Sequence, residues 1–278
     1  MNYKIVCDSS CDVLDLASGN YATVPMKIIA GEKQFIDNTD LNVSEMMDFL
    51  AKYKGKSGSS CPNVEEWLNA FGNAENVFCV AMTSSLSGSF NSARVAVNQY
   101  LEEHPERHAT VIDTKSTGPE NALIFEKIIA LVNEGLAFDE ICEKVAEYQT
   151  KTHLIFALES MHNLAANGRV SPVVAKLAGI LGIRAIGIAS TEGTLEMTSK
   201  QRGLQNTVAE IFRQMKGLGF DGRRVKIHHA ENESGVADLE KLILKEFPEC
   251  RIDKRTTTAL CSFYAERGGI LVGFEIKK

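Results

Sequence analysis

Short apolar runs alternate with amphipathic stretches through the first half of the chain. Runs rich in branched residues predict four β-strands, at residues 3–7 (YKIVC), 23–29 (TVPMKII), 77–82 (VFCVAM) and 109–114 (ATVIDT). Apolar residues at helical spacing predict helices at residues 43–53, 63–71, 89–103, 119–135 and 138–151. This alternation predicts a parallel, Rossmann-like sheet that is covered by helices on both faces.

The second half has a different pattern, which predicts a second α/β unit. Its predicted strands are residues 152–158, 183–189, 195–200, 224–230 and 270–276, and its predicted helices are residues 158–168, 172–182, 204–216 and 236–247. Gly193 separates two of these strands at hairpin spacing, so we predict a mixed sheet. Because 278 residues exceed the size of one ordinary core, we predict two α/β domains, residues 1–155 and 156–278.

Composition and charge narrow the classes of protein. The chain is 44% hydrophobic and 24% charged, and no apolar run reaches the roughly 20 residues that a membrane span needs. The first residues are strand-like and lack the layout of a secretion signal, so we expect a cytoplasmic protein without stable membrane anchoring. The net charge of -6 argues against nucleic acid as a partner. The seven cysteines lack CxxC spacing, so we expect free thiols and no metal site.

The stretch TSSLSGSFNSA, residues 83–93, follows a predicted strand and leads into a predicted helix. Backbone N–H groups at a helix start favour an anion, and the serine hydroxyls add neutral donors. The stretch lacks the lysine of a phosphate-binding loop, which favours a carboxylate over a phosphate. An alternative interpretation is that Ser87 or Ser89 only caps the helix.

Other polar stretches lie at similar positions, at the end of a predicted strand or before a predicted helix. DSSCD (8–12) and DTKSTG (113–118) also follow predicted strands, and the carboxyl ends of parallel strands meet at one edge of a sheet. SGSSCP (57–62) reads as a second hydroxyl-rich loop before a helix, and GRVS (168–171) offers an arginine to an anion. His228 and His229 end a strand, where they could contact a ligand or serve only the structure. No GxSxG elbow is present, which disfavours a serine hydrolase.

An ordered set of motifs resembles the DegV family along the whole chain. The motifs are DSSCD (8–12), VPMKI (24–28), FIDNTD (35–40), SSCP (59–62), TSSLSGSFNSA (83–93), GRVS (168–171), GIRAI (182–186) and KQR (200–202). The resemblance implies a two-domain α/β fold that holds a long-chain fatty acid between its domains. It also implies a protein without catalytic residues or a cofactor, which in some members presents the acyl group to a separate fatty acid kinase subunit.

The resemblance implies a site at the two serine segments. Ser59 or Ser60 and Ser87, with the N–H of Gly88, would hold the carboxylate, and an apolar tunnel would hold the tail. Arg169 would lie at the same end. The sequence departs from the family where a histidine usually stands near the head group, since Tyr264 occupies that position, and Glu266 and Arg267 replace part of a glycine turn.

Two other functions remain open from the sequence. One is an enzyme acting on an acyl or phosphorylated small molecule, with Ser87 as nucleophile or Arg169 as electrophile. The other is a docking subunit whose surface around Arg169 and Arg202 recognises a kinase, which would add to ligand binding.

Overall fold

Three β-sheets and the helices between them make up the computed structural model, which describes residues 2–14, 19–171 and 182–277. Up to residue 171 the elements are β1 (Tyr3–Asp8), β2 (Tyr21–Val24), β3 (Lys27–Ala30), β4 (Lys33–Ile36), α1 (Val43–Lys52), β5 (Ser57–Ser60), α2 (Val64–Phe71), β6 (Asn76–Ala81), α3 (Ser89–Glu103), β7 (His108–Asp113), α4 (Pro119–Asn133), α5 (Phe138–Gln149), β8 (Thr152–Leu158) and α6 (His162–Ala166). From residue 182 they are β9 (Ile183–Ala189), β10 (Leu195–Arg202), α7 (Leu204–Gly217), β11 (Phe220–His229), α8 (Glu233–Glu246), β12 (Arg251–Thr256), α9 (Ala259–Ala265) and β13 (Ile270–Ile276).

The first sheet is parallel throughout, with strand order β2-β1-β6-β7. Helices α4 and α5 pack on one face, where Phe78 and Phe125 share a buried cluster. Helices α2 and α3 pack on the other face around Trp67 and Tyr100. The predicted parallel sheet with helices on both faces is therefore confirmed.

The second sheet is mixed, with strand order β10-β9-β8-β13-β11-β12. Only β11 and β12 run parallel, and the other neighbours are antiparallel. Helices α7 and α8 bury one face, and the opposite face carries Leu154, Phe156 and Leu158. The predicted mixed sheet and its β9–β10 hairpin are confirmed, so the α/β fold class holds for both halves. The division into two domains, residues 1–155 and 156–278, stays a prediction.

A third, small sheet corrects two predictions. It is antiparallel, with strand order β4-β3-β5. The strand predicted at residues 23–29 is two strands in different sheets, because Pro25 has no N–H to continue a ladder. The segment SGSSCP is not only a loop, since Ser57–Ser60 forms the strand β5 beside β3.

Helix α4 lies between the first two sheets. It packs against β6 and β1 on one side and against β13 and β8 on the other. Gly273 of β13 permits this approach, because a Cβ there would lie 2.6 Å from the backbone N of Glu120. The two large sheets therefore share a helix as a common layer.

The remaining differences concern short elements. The helix predicted at residues 158–168 is shorter, since α6 covers only His162–Ala166 before Gly168 takes a positive φ. A helix was predicted at residues 172–182, and residues 172–181 of it lie outside the described residues. Strand β12 and helix α9 were not predicted, because neither is long or strongly periodic. Across the described ranges, no helix has the length and apolar character to cross a membrane.

Candidate functional site

Three loops meet at the carboxyl edge of the parallel sheet, as their position after strands predicts. Asp8 ends β1, and one of its carboxylate oxygens accepts from the Met82 N–H at 3.0 Å. The Thr83 N–H donates to the Ser116 carbonyl at 2.9 Å, and the Gly118 N–H donates to the Ser10 carbonyl at 2.7 Å. The predicted convergence of DSSCD, TSSLSGS and DTKSTG is therefore confirmed.

A mostly apolar cavity of about 60 Å³ lies between these loops and the mixed sheet. Its apolar lining residues are Met26, Met82, Leu86, Leu154, Phe156, Leu158, Leu164, Leu195, Leu260, Cys261, Ala265 and Leu271. Its polar lining residues are Ser59, Ser87, Thr117, Arg169 and Tyr264. A single water needs about 10–15 Å³ in the same measure, so the cavity is larger than a one-water void. Its lining suits an apolar molecule with one polar group.

Ser59, Tyr264 and Arg169 form a connected polar group in the cavity wall. The Ser59 and Tyr264 hydroxyl oxygens are 2.7 Å apart, within hydrogen-bonding distance. The Arg169 guanidinium carbon lies 5.7 Å from the Tyr264 ring centroid, within cation–π range. Arg169 Nε also donates to the Leu86 carbonyl at 3.2 Å, which ties the guanidinium to the serine loop. Hydroxyl donors and one guanidinium together favour an anionic group here.

Ser87 lines the same cavity from the loop before α3. Its Oγ accepts from the Ser89 N–H at 3.2 Å, so its hydroxyl hydrogen can point elsewhere. The N-cap residue of α3 is Gly88, which has no side chain to form a capping bond. Ser89 Oγ donates to an Asp8 carboxylate oxygen at 2.6 Å and does not cap the helix. Ser87 thus serves the helix start and the cavity wall together, so the two alternatives for this stretch are not exclusive.

Ser60 and Gly88 do not line the cavity. Successive side chains of a strand point to opposite faces, and Ser59 pairs with the buried Ile28 while Ser60 pairs with Lys27. The Ser60 hydroxyl donates to the Cys61 carbonyl at 3.3 Å. A Cβ on Gly88 would lie 3.3 Å from Cys61 Sγ, so this glycine packs against the end of β5.

Helix α9, which carries Tyr264, is held by two aspartates that sequence reasoning missed. Asp37 accepts from the N–H groups of Ala259 at 2.7 Å and Leu260 at 3.1 Å. Asp12 accepts from the Thr258 N–H at 2.8 Å. These are the orphan donors of the helix start, and carboxylates are favoured there. Both aspartates lie in the quoted motifs DSSCD and FIDNTD, which is a signal that the sequence offered.

Burial affects the charge states of these groups. Asp37 is 1% exposed, and burial raises its pKa to about 6. Burial also raises the pKa of Asp8, despite the hydroxyl and N–H donors around that carboxylate.

The two candidate histidines each have a hydrogen-bond partner within the protein. His228 Nδ1 lies 2.7 Å from an Asp12 carboxylate oxygen, and burial lowers the pKa of this histidine. His229 Nδ1 accepts from the Asn232 N–H at 3.1 Å. Neither is among the residues that line the cavity.

The cysteines and acidic groups are arranged without a metal centre in the described parts of the chain. All seven cysteines are free thiols, five of them buried, as expected. Among residues 2–14, 19–171 and 182–277, no group of three or more His, Cys, Asp or Glu side chains could hold a metal ion.

Comparison with known proteins places this chain in a family. The model of the DegV family matches residues 2–277. A DegV domain-containing protein of Streptococcus gordonii is 40% identical over 280 residues, which cover 99% of this chain and 100% of that protein.

Two solved structures are similar over their whole length. A DegV family protein from Eubacterium eligens, loaded with heptadecanoic acid, has a TM-score of 0.96 at 40% identity, with 99% of this chain and 100% of that chain covered. The Streptococcus pneumoniae Fatty Acid Kinase (Fak) B3 protein, loaded with linoleic acid, has a TM-score of 0.97 at 39% identity, with 100% of both chains covered. This chain therefore belongs to the DegV family.

Proposed function

We propose that the protein binds a long-chain fatty acid in the cavity, with the carboxylate at the polar end and the acyl tail along the apolar wall. The observation that carries this proposal is the division of one cavity into a hydroxyl-rich end and a wall of leucine, methionine and phenylalanine. The fatty acids in the two similar structures support the same class of ligand.

The polar end suits a carboxylate in its number and kind of donors. Ser59, Ser87 and Tyr264 each bring a hydroxyl, and Arg169 brings one positive charge. The Ser59 and Tyr264 hydroxyls bond to each other, so one donor of that pair and the Ser87 hydroxyl remain for the head group. Hydrogen bonds to a charged acceptor are stronger than neutral ones, so these two hydroxyls can orient the carboxylate. The Tyr264 hydroxyl would take the place that a histidine has elsewhere in the family.

The apolar wall would supply the affinity. Each buried methylene contributes about 0.8 kcal/mol, so a chain of sixteen carbons gains far more from the wall than from the head group. The polar end would set which way the molecule lies and which end stays near the serine loop.

Native mass spectrometry of the purified protein tests this proposal directly. We expect one fatty acid per chain, identified after denaturing extraction. A protein that is empty, and stays empty after incubation with saturated and unsaturated fatty acids, would contradict the proposal.

We propose further that the protein is a binding subunit and not an enzyme. The residues that line the cavity include no histidine, aspartate or glutamate, so Ser87 has no general base within the described wall. This disfavours the alternative of a nucleophilic Ser87 acting on an acyl or phosphorylated substrate. Turnover of an acyl ester that is lost in Ser87→Ala, while binding is retained, would revive that alternative.

The similarity to the Fak B3 protein supports a role in presenting the fatty acid to a kinase subunit. We propose that the partner docks around Arg169, which is half-buried at the cavity, and the exposed Arg202 at the end of β10. Free cysteines support a reducing, cytoplasmic setting for this complex.

The kinase role is tested with the partner itself. A pull-down from the source cytosol should recover an ATP-binding protein, and ATP should then drive phosphorylation of the bound acyl group. Arg202→Ala should retain fatty acid and lose the partner. An Arg202→Ala variant that retains both the fatty acid and the partner would contradict the proposed docking surface.

A further inference from the structure

Thr83 is buried at the start of the serine loop, with 1% of its surface exposed. Its carbonyl accepts from the N–H groups of Leu86 at 3.2 Å and Ser87 at 3.3 Å. Its Oγ1 accepts from the Ser85 N–H at 3.2 Å. One threonine therefore holds the backbone of the loop as far as Ser87.

The same hydroxyl reaches the other half of the protein. Thr83 Oγ1 donates to the Gly193 carbonyl at 2.9 Å, and Ser85 Oγ donates to the Glu192 carbonyl at 2.6 Å. Both carbonyls belong to residues 190–194, the tip of the β9–β10 hairpin. A Cβ on Gly193 would lie 2.1 Å from Thr83 Oγ1, so only glycine permits this approach.

The hairpin tip is held in place by its own hydrogen bonds. The Gly193 N–H donates to the Ser190 carbonyl at 2.9 Å, and the Thr194 N–H donates to Ser190 Oγ at 3.1 Å. Gly193 has φ +76°, which a residue with a side chain rarely adopts. The next residue, Leu195, lines the cavity.

We propose that Thr83, braced by the hairpin tip, is a positioning residue that aims the Ser87 hydroxyl at the ligand's head group. This inference rests on the proposed function. A donor must lie within a few tenths of an ångström of its acceptor position to bind well, and Ser87 lies in a loop whose backbone at that residue is held by the Thr83 carbonyl. Head-group recognition therefore depends on the second half of the chain as well as on the serine loop.

The competing interpretation is that Thr83 only stabilises the fold, as many buried threonines do. The two interpretations differ in what they affect. A positioning residue changes the preference for a carboxylate head, whereas a purely structural residue changes the binding of every ligand with the same tail.

The test compares hexadecanoic acid with hexadecan-1-ol, which share a tail and differ in the head group. Thr83→Val removes the hydroxyl at nearly constant volume. We expect the ratio of acid affinity to alcohol affinity to fall about tenfold, in line with the loss of one bond to a charged group. Alcohol binding should change little.

Three further variants make the result specific. Thr83→Ser keeps the hydroxyl and should restore the ratio. Thr207→Val is the matched control, because Thr207 is fully buried and its hydroxyl donates to the Gly203 carbonyl at 2.8 Å, in another helix start. It should leave the ratio unchanged. Thr83→Val combined with Ser87→Ala should lose no more than Ser87→Ala alone, since both act on one bond.

An unchanged ratio in Thr83→Val, or losses that add in the double variant, would overturn the inference. Failure of Thr83→Ser to restore the ratio would do the same. A wild-type protein that binds neither compound would remove the proposed function itself, before any variant is compared.

Discussion

The two ends of the cavity are built in different ways. The polar end collects side chains from four segments that are distant along the chain, namely Ser59, Ser87, Arg169 and Tyr264. Much of the apolar end comes from neighbouring strands of one sheet, where Leu154, Phe156 and Leu158 alternate along β8 and Leu271 follows on β13. The polar end therefore depends on tertiary contacts, and the apolar end depends largely on the alternation of a strand.

This difference has an energetic consequence. Hydrogen bonds weaken steeply with distance and angle, so the polar end tolerates little displacement. Apolar contacts tolerate volume-conserving changes, which usually cost less than about 1.5 kcal/mol. We expect the polar end to be sensitive to distant substitutions and the apolar end to local ones.

The largest effect is expected when charge enters the apolar end. Leu158→Asp places a carboxylate in a wall position that is 2% exposed, and it should reduce fatty acid affinity by more than about a hundredfold. Isothermal titration with hexadecanoic acid measures the loss. Leu158→Met conserves volume and should bind nearly as well as the wild type. A folded Leu158→Asp variant with normal affinity would place the tail elsewhere.

The support of the polar end, through Asp37 at the start of α9, should depend on pH. Burial raises the pKa of Asp37 from 3.8 to about 6, so the folded protein holds this proton more tightly than the unfolded chain. The stability that this group contributes is full below about pH 4 and is lost as pH rises to about 6, a change of about 3 kcal/mol.

Urea denaturation of the wild type and Asp37→Asn between pH 4 and pH 7 tests this sign. The free energy of unfolding of the wild type should rise relative to that of the variant as pH falls. Asp48→Asn is the control, because the hydrogen bond from Arg267 lowers the pKa of that exposed carboxyl. The stability difference between the wild type and this variant should be small, and it should shrink, not grow, as pH falls. A difference for Asp37→Asn that does not vary with pH would contradict the raised pKa.

Removal of one head-group donor should have an intermediate effect. Ser87→Ala leaves the carboxylate short of a hydrogen bond and should weaken binding by about 1–3 kcal/mol. Competition with a fluorescent fatty acid measures the change. Unchanged affinity would leave Ser87 with only its role at the start of α3.

The smallest effect separates two adjacent serines of β5. Ser59→Ala removes the partner of Tyr264 and should cost about 1 kcal/mol of binding free energy. Ser60→Ala, on the other face of the strand, should change it by less than about 0.5 kcal/mol. Equal losses of binding free energy at the two positions would contradict the prediction that only the Ser59 face of β5 contacts the ligand.

Much of the fold was readable because its signals are local. Asn42 accepts from the Glu45 N–H as an N-cap should, and Asn63 forms a complete capping box with Glu66. The apolar runs at β1, β6 and β7 became the parallel sheet without exception. The strand predicted at residues 23–29 failed because Pro25 divides a continuous apolar run between two sheets.

The site was less readable, because its parts are joined across long distances in sequence. Ser59 and Ser87 stood out by composition, but nothing local distinguished Ser59 from Ser60 until β5 paired with β3. Asp37 and Thr258 are far apart along the chain, yet their side chains are 3.1 Å apart. A search for carboxylates that follow strands would have pointed to Asp8, Asp12 and Asp37 without assigning them a partner.

The sequence by itself determined most strands and helices of the two large sheets, the apolar faces and the chemistry of the serine segments, because periodicity and capping act between residues a few positions apart. Tertiary structure alone decided which serine faces the cavity, how α9 presents Tyr264 and how the hairpin tip reaches Thr83. The reason is physical: a pairing register and a buried hydrogen bond exist only after distant segments have packed, and no local pattern encodes their partner.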